Sequence, residues 1–336
     1  MSAPKQQRIF VTGATGYIGS RVTEFALAQG YAVHGLSRSE SGTAKLRSLG
    51  AVPVEGDLSS LDLLRAEAAQ ADAVIHLADA WIDDFSQPYD NVVKIDAAAV
   101  DAMATGLAQS GSERKLFLGT SGIGVVEPEA GGGETDESAP ANKSPLNGRI
   151  RCERHVLSKA DEDGSGSGSG IRVVVMRLPP FVYGRGGSGV RLFLGIFSKL
   201  GFVVRVSDGR TRTSVVHVDD AARAYVFALG RAGNDDAASR ARDIYNVASS
   251  TEVDFRAFTD AMAATLGFPV RELSTAEAAG TAGPLVAGFF SDRVRGNSDK
   301  LRRELGWSPV EEGIVEDIRT GSYVEVARTL KSTARA

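Results

Sequence analysis

Three glycines in the stretch VTGATGYIGS, Gly13, Gly16 and Gly19, stand where a short apolar run ends and an amphipathic one begins. A tight turn, close approach of a phosphate to the backbone and packing of a helix onto a strand each exclude a side chain, and the free amides of a helix N-terminus attract an anion. The spacing therefore points to a nucleotide pyrophosphate. About 20 residues further on, where an acidic residue would take the ribose hydroxyls of NAD, the next apolar run ends in Ser37 and Arg38. A guanidinium suits a 2′-phosphate, so NADP(H) is expected in preference to NAD(H). Asp57, which closes the third run after Gly56, is placed to accept from the adenine amino group or to cap the helix that follows. A second stretch, SPLNGRIRCERHVLSKA from Ser144 to Ala160, reads as a helix that begins at an active site. Its expected inward face offers an asparagine and an arginine.

The elements that must position these residues are legible as a rhythm. RIFVT (Arg8 to Thr12) is a strand, and Ile18, Val22 and Phe25 recur at helical spacing up to a stop near Gly30. YAVHGLS, VPVEGD, DAVIHLA, KLFLGTS and IRVVVMRLP are further apolar runs, with helices between them around Thr43 to Leu49, through Leu61 to Ala69, and from about Asn91 to Gln109. This alternation predicts an α/β fold, a doubly wound parallel sheet of Rossmann type covered on both faces. The boundaries expected are a nucleotide domain over residues 1–180, to which 215–247 returns, and a smaller substrate domain from 181–214 and 248–336. GGGETDE near Gly131 to Glu137 reads as a polar loop, GSGSGSG at Gly164 to Gly170 as a flexible spacer, and GRGGSG at Gly184 to Gly189 as a loop beside the ligand cleft.

Composition removes other classes. The 336 residues are 43% hydrophobic and carry a formal net charge of −4, so there is no basic excess with which to bind nucleic acid. Cys152 is the sole cysteine and the four histidines show no ligand spacing, so neither a disulfide nor a metal site is expected. No long uncharged run suggests a membrane partner or a secretory signal, and a cytoplasmic location is expected.

Taken together these motifs resemble the extended branch of the short-chain dehydrogenase/reductase superfamily, the epimerases, dehydratases and dihydroflavonol-reductase-like enzymes, over about residues 8 to 322. TGATGYIG is similar to the branch's nucleotide fingerprint, GDL to its adenine contact, HLADA to the motif beside the nicotinamide ribose, FLGTSGIGV to its fifth strand, and RLPPFVYGRGG to the segment passing the carboxamide. The likeness implies cofactor contacts from Thr15, Tyr17 and Ile18 beside the three glycines, Leu58 beside Asp57, Leu77, Ala78, Asp79 and Thr120, and Pro179 and Val182. It also implies a proton relay in which a strand hydroxyl, here Ser121, works with a Tyr-x-x-x-Lys on the next helix. With Ser144 capping that helix, Pro145 in its first turn and Leu146, Ile150 and Leu157 as its buried stripe, Asn147 falls at the tyrosine position and Arg151 at the lysine position.

An asparagine cannot deliver a proton at neutral pH and an arginine stays ionised, so the acid is missing. Arg151 is left to hold the ribose and to lend charge to an oxyanion, with Tyr89 and Tyr183 as the alternative proton donors and a base available in the cluster Asp79, Asp83 and Asp84. Cys152, His155, His76 and His217 read as structural. The leading expectation is NADPH-dependent reduction of a carbonyl-type group in a small metabolite. A non-reductive isomerase, lyase or cyclase that keeps the nucleotide as scaffold stands against it, as does an NADP-sensing regulatory protein. The long helices near Asn91 and Ser144 resemble those that pair in the superfamily's homodimers.

Overall fold

Each short apolar run becomes a strand and each amphipathic one a helix in the structure, a computed structural model that describes residues 6–83, 87–109, 115–160, 170–230 and 240–333. In chain order the first half contains β1 (Arg8–Thr12), α1 (Tyr17–Ala28), β2 (Ala32–Ser37), α2 (Glu40–Leu49), β3 (Val52–Glu55), α3 (Leu61–Ala68), β4 (Ala73–His76), α4 (Tyr89–Ala108), β5 (Lys115–Gly122) and α5 (Arg149–Leu157). The second half continues with β6 (Ile171–Leu178), β7 (Phe181–Tyr183), α6 (Ser188–Leu200), β8 (Val203–Val206), β9 (Arg212–His217), α7 (Val218–Gly230), β10 (Arg242–Asn246), β11 (Ser250–Asp254), α8 (Phe255–Leu266) and β12 (Val270–Leu273). The helices α9 (Thr275–Ala282), α10 (Pro284–Phe289), α11 (Asp299–Leu305), α12 (Ile314–Thr320) and α13 (Tyr323–Thr333) close the chain.

Seven strands form one sheet in the order β10-β6-β5-β4-β1-β2-β3, every pairing parallel. Its order reverses next to β1, and in such sheets the ligand crevice opens at the carboxyl ends of the strands flanking the reversal. Alternate residues supply the two faces: Ile9, Val11, Val174 and Met176 pack with α1 and α7, whereas Phe10, Val173 and Val175 pack with α3, α4 and α5. A third apolar cluster, centred on Phe181, Phe193, Phe255, Phe258 and Phe290, holds the smaller part, in which β11, β9 and β7 form one sheet and β12 pairs β8. Among the described residues of 215–247, only β10 therefore adds a strand to the large sheet; β9 turns to β7 and β11. Residues 161–169, which take in all of the spacer except Gly170, lie outside the described residues, as do Asp84 and the side chain of Asp83.

The helix opened by Ser144 in the sequence reading starts five residues later. Pro145 and Gly148 interrupt the stretch, and the Asn147 side chain accepts from the Arg149 amide (3.0 Å), a local bond that competes with helix formation. Leu146, expected in the buried stripe, is 62% exposed. The face that does go inward is Arg149, Cys152, Glu153 and Val156, at offsets of three, four and seven. Its rotation is fixed by Glu153, whose buried carboxylate receives both Nε (3.0 Å) and Nη2 (2.5 Å) of Arg177 on β6. Removing one partner of such a buried pair strands the other's charge. Glu153→Ala is expected to lower unfolding free energy by about 3–5 kcal/mol in guanidinium titration, while the exposed Arg151→Ala changes it by less than about 0.5 kcal/mol.

Candidate functional site

At the end of β1 the chain turns through Gly13, with φ at +69°, and a Cβ there would meet the Ala78 amide nitrogen at 2.7 Å. A Cβ on Gly19 would lie 2.0 Å from the Gly13 carbonyl oxygen, so α1 can seat against the turn only through glycine. No side chain caps the first turn of α1. Its amides face the crevice unclaimed, and the cradle fits a dinucleotide pyrophosphate. Leu77 and Ala78 lie against it, both amides reaching Thr12 Oγ1 at 3.3 Å. The Thr12 hydroxyl in turn bonds His76 (2.7 Å), whose other ring nitrogen meets the buried Asp96 (3.1 Å).

At the end of β2, the buried Ser37 donates to the Ser39 carbonyl (3.0 Å) and Arg38 is exposed. Lys45 on α2 donates to the Thr15 carbonyl (2.9 Å), which holds a second cation over the fingerprint turn. Sequence reasoning missed Lys45; its spacing of seven from Arg38, on the helix that follows, was the available signal. Asp57 accepts from the amide and hydroxyl of Ser59 and from the Ser60 hydroxyl, bonds that hold its carboxyl below the usual range and start the turn into α3. Ile18 packs on the α1 face of the core, Leu58 on the opposite face, Val182 beside the former, and Pro179 is buried between β6 and β7. The Tyr17 hydroxyl is given to the Gly184 carbonyl (2.8 Å).

The catalytic candidates separate. Ser121 is buried near the end of β5, and its hydroxyl has no hydrogen-bond partner. Thr120, on the other face, donates to the His76 carbonyl and shares a 2.8 Å bond with the fully buried Tyr225. Because Val156 lies against Gly119 and Glu153 holds Arg177, which is in register with Ser121, the first turn of α5 projects past the strand end. Arg149 sits there, and its guanidinium donates to Asp79, which also receives the Trp81 amide at 2.9 Å. Enclosure holds the guanidinium below the ordinary arginine range, against the opposing pull of Cys152, Tyr225 and Glu153. Arg151, by contrast, turns outward to Asp90 at 2.6 Å with its side chain 49% exposed, and Asn147 precedes the helix altogether. The inward basic residue is therefore Arg149, and the position four before it is Pro145, which carries no proton.

Neither phenol fills that gap. Tyr183 is buried in the smaller part's core and donates to the Glu312 carbonyl at 2.6 Å. Tyr89 lays its ring over Gly148 and buries its hydroxyl, unpartnered, beside Cys152 and Asp96 between α4 and α5; burial, then these neighbours, push its pKa up. His155 pairs with Asp101 (2.9 Å) on the outer side of the same helices.

The fold does gather a cluster that sequence spacing concealed: His217, Asp219 and Glu311 bring ligand atoms within 4.8 Å of one another. Asp219 is already bonded by Arg21 and Arg185, and Glu311 by Arg223, so these carboxylates serve an ion-pair network rather than a cation. A cavity of about 600 Å³ opens beyond β10, lined by Glu137, Asp243, Lys300 and Arg303 among others, on the far edge of the sheet from the glycine turn. No helix among the described residues is long and apolar enough to cross a membrane.

The profile of the NAD dependent epimerase/dehydratase family matches residues 9–248. An uncharacterised protein of Schizosaccharomyces pombe is 31% identical, with 94% of this chain and 99% of that one covered. The 4-hydroxy-2-methyl-3-oxo-4-farnesyl-3,4-dihydroquinoline-1-oxide ketoreductase of Stigmatella aurantiaca is 27% identical over 90% of this chain and 92% of its own. Among solved structures, UDP-glucose 4-epimerase of Thermotoga maritima with UDP-glucose has the same fold, with a TM-score of 0.70 at 19% identity, covering 96% of this chain and 99% of that one.

Burial and the adjacent Asp96 push the Cys152 thiol up to about 12, which keeps it protonated throughout the neutral range despite the nearby Arg149. Native protein at pH 8 should therefore release almost no thionitrobenzoate from a disulfide reagent, and one equivalent after unfolding in guanidinium.

Proposed function

Because the chain belongs to the NAD dependent epimerase/dehydratase family, we propose that it reduces a carbonyl group of a small metabolite with NADPH. What carries the reading is a buried unpartnered hydroxyl on Ser121 near the end of β5 and an inward guanidinium on Arg149 at the start of the helix packed on that strand, next to a glycine turn shaped for a dinucleotide. NADPH, when bound in that cradle, supplies the hydride. Arg38 and Lys45 recommend the phosphorylated cofactor, since the strand end beside the fingerprint turn carries Ser37 and Arg38 and the helix after it sets Lys45 over the Thr15 carbonyl, and a guanidinium and an ammonium suit a 2′-phosphate.

In this reading Ser121 donates a hydrogen bond to the substrate carbonyl oxygen, and Arg149 lends positive charge as that oxygen becomes anionic. Asp79 keeps the guanidinium oriented. The proton reaches the oxygen from water, since Pro145 holds the place of the relay's phenol and the hydroxyls of Tyr89 and Tyr183 lie elsewhere. Reduction is also the chemistry named for the Stigmatella relative. The lack of a side-chain acid equally favours a second reading, a non-reductive isomerase, lyase or cyclase in which Ser121 and Arg149 only polarise the substrate.

Ser121→Ala should lower kcat by about 10²–10³ with NADPH affinity unchanged in a fluorescence titration; unaltered turnover would remove Ser121 from the chemistry. Arg38→Ala and Lys45→Ala should each weaken NADPH by roughly tenfold, about 1.4 kcal/mol, and leave NADH untouched. Product that forms without net NADPH oxidation and without a deuterium effect from labelled cofactor would select the non-reductive reading.

A further inference from the structure

Among the described residues, large apolar side chains stand on the rim beside the Asp79–Arg149 pair. Trp81, half-buried, meets Tyr89 edge to face with ring centroids 5.8 Å apart, and Tyr89 covers Gly148. Two residues before Gly148, Leu146 has its Cδ1 only 3.7 Å from where a Cβ on Gly288 would be, at the end of α10. The next residue, Phe289, packs on the aromatic cluster of the smaller part. One lip thus runs from Trp81 past the guanidinium to Phe289, joining the two parts of the molecule.

Leu146 is the anomaly in it. The other exposed large apolar residues, such as Val52, Ile95, Phe227 and Val310, stand singly on strands, helix faces or loops, which is ordinary. Leu146 instead stands three residues ahead of Arg149, beside the chemistry, with 62% of its surface unprotected. Exposed apolar surface at the mouth of a crevice marks a ligand groove.

We propose that this lip, with Leu146 and Trp81 as specificity-determining residues, holds a hydrocarbon arm of the carbonyl substrate, and that sugar nucleotides are not substrates. The proposal rests on the reductase reading. A sugar presents a hydroxyl at almost every carbon, and each would forfeit its water partners against this lip. Leu146, Pro145, Gly148 and Gly288 offer no side-chain polar atom, the Asn147 side-chain carbonyl oxygen among them already accepts from the Arg149 amide, and the Arg149 guanidinium donates to Asp79. An alkyl or isoprenoid arm forfeits nothing there and covers Leu146.

Trp81 supplies the assay, because the other tryptophan, Trp307, is 1% exposed in the core and donates its indole N–H to Asp220. Tryptophan emission of the full chain, loaded with NADP⁺ so that no turnover occurs, is titrated with ethyl 3-oxododecanoate and, separately, with UDP-glucose. A saturable shift with the ester alone is expected. It should vanish in Trp81→Phe, and the ester should bind about tenfold or more weakly to Leu146→Ser, whose NADPH titration matches the wild type. A saturable response to UDP-glucose, or an unchanged emission with the ester in protein that binds NADPH normally, overturns the assignment of the lip while the reductase reading stands. Failure of the wild type to bind NADPH overturns the reductase reading itself, and this proposal with it.

Discussion

A buried carboxylate cannot turn away from its guanidinium, and the Glu153–Arg177 pair makes that constraint the axis of the site. Successive helical residues are set about 100° apart, so once Glu153 faces β6, Arg149 one turn earlier faces the same way and Arg151 faces the opposite side. Everything distinctive about the cleft follows from this one rotation. Arg149 meets Asp79, Cys152 is sealed against Asp96, and Arg151 is left to an exposed bond with Asp90.

The same constraint explains which parts of the molecule were legible in the sequence. The sheet was, because β-branched runs such as VVVM in β6 and the alternation of Ile9, Phe10 and Val11 can satisfy two apolar faces in only one way. The glycine turn was, since each of its requirements excludes a side chain on steric grounds alone. The active helix was not. Its leading residues Ser144, Pro145 and Leu146 imitate a capped start, but the Asn147 side chain competes for the Arg149 amide and the helix begins later. The apolar stripe that seemed to orient it was drawn through Leu146, an exposed residue, instead of through Cys152 and Val156. Arg149 and Glu153, a charged pair of helical spacing that the sequence reading did not single out, form the inward face. Polarity patterns mislead where function puts charge inside.

Tyrosines show a related limit. Sequence places Tyr89 and Tyr183 next to the cleft, and both are, in the chain, only a few residues from it. Yet a phenol is an apolar ring with one polar atom, and packing decides the ring first. In Tyr183 the ring joins an aromatic cluster against His217 and the hydroxyl is spent on a carbonyl; in Tyr89 the ring shields Gly148. Lys45 went unread for the opposite reason, because a lysine on an exposed helix face has no sequence mark that separates it from its neighbours until the Thr15 carbonyl is seen under it.

The GRGG loop at Gly184 to Gly187 has one more consequence. It links β7 to α6 within the smaller part and contains glycines with positive φ at 184 and 186, the composition usually associated with a joint that swings. Here it is fastened on every side: Tyr17 and Tyr323 bond the carbonyls of Gly184 and Gly187, Arg185 grips Asp219 alongside Arg21, and the Gly186 amide is held by Ser322. Its glycines serve a fixed knot, because a Cβ at 184 would strike the His217 ring at 2.1 Å and one at 187 the Tyr17 ring at 2.5 Å. The loop thereby stands as a stationary post to which both the fingerprint helix α1 and the C-terminal helix α13 are tied.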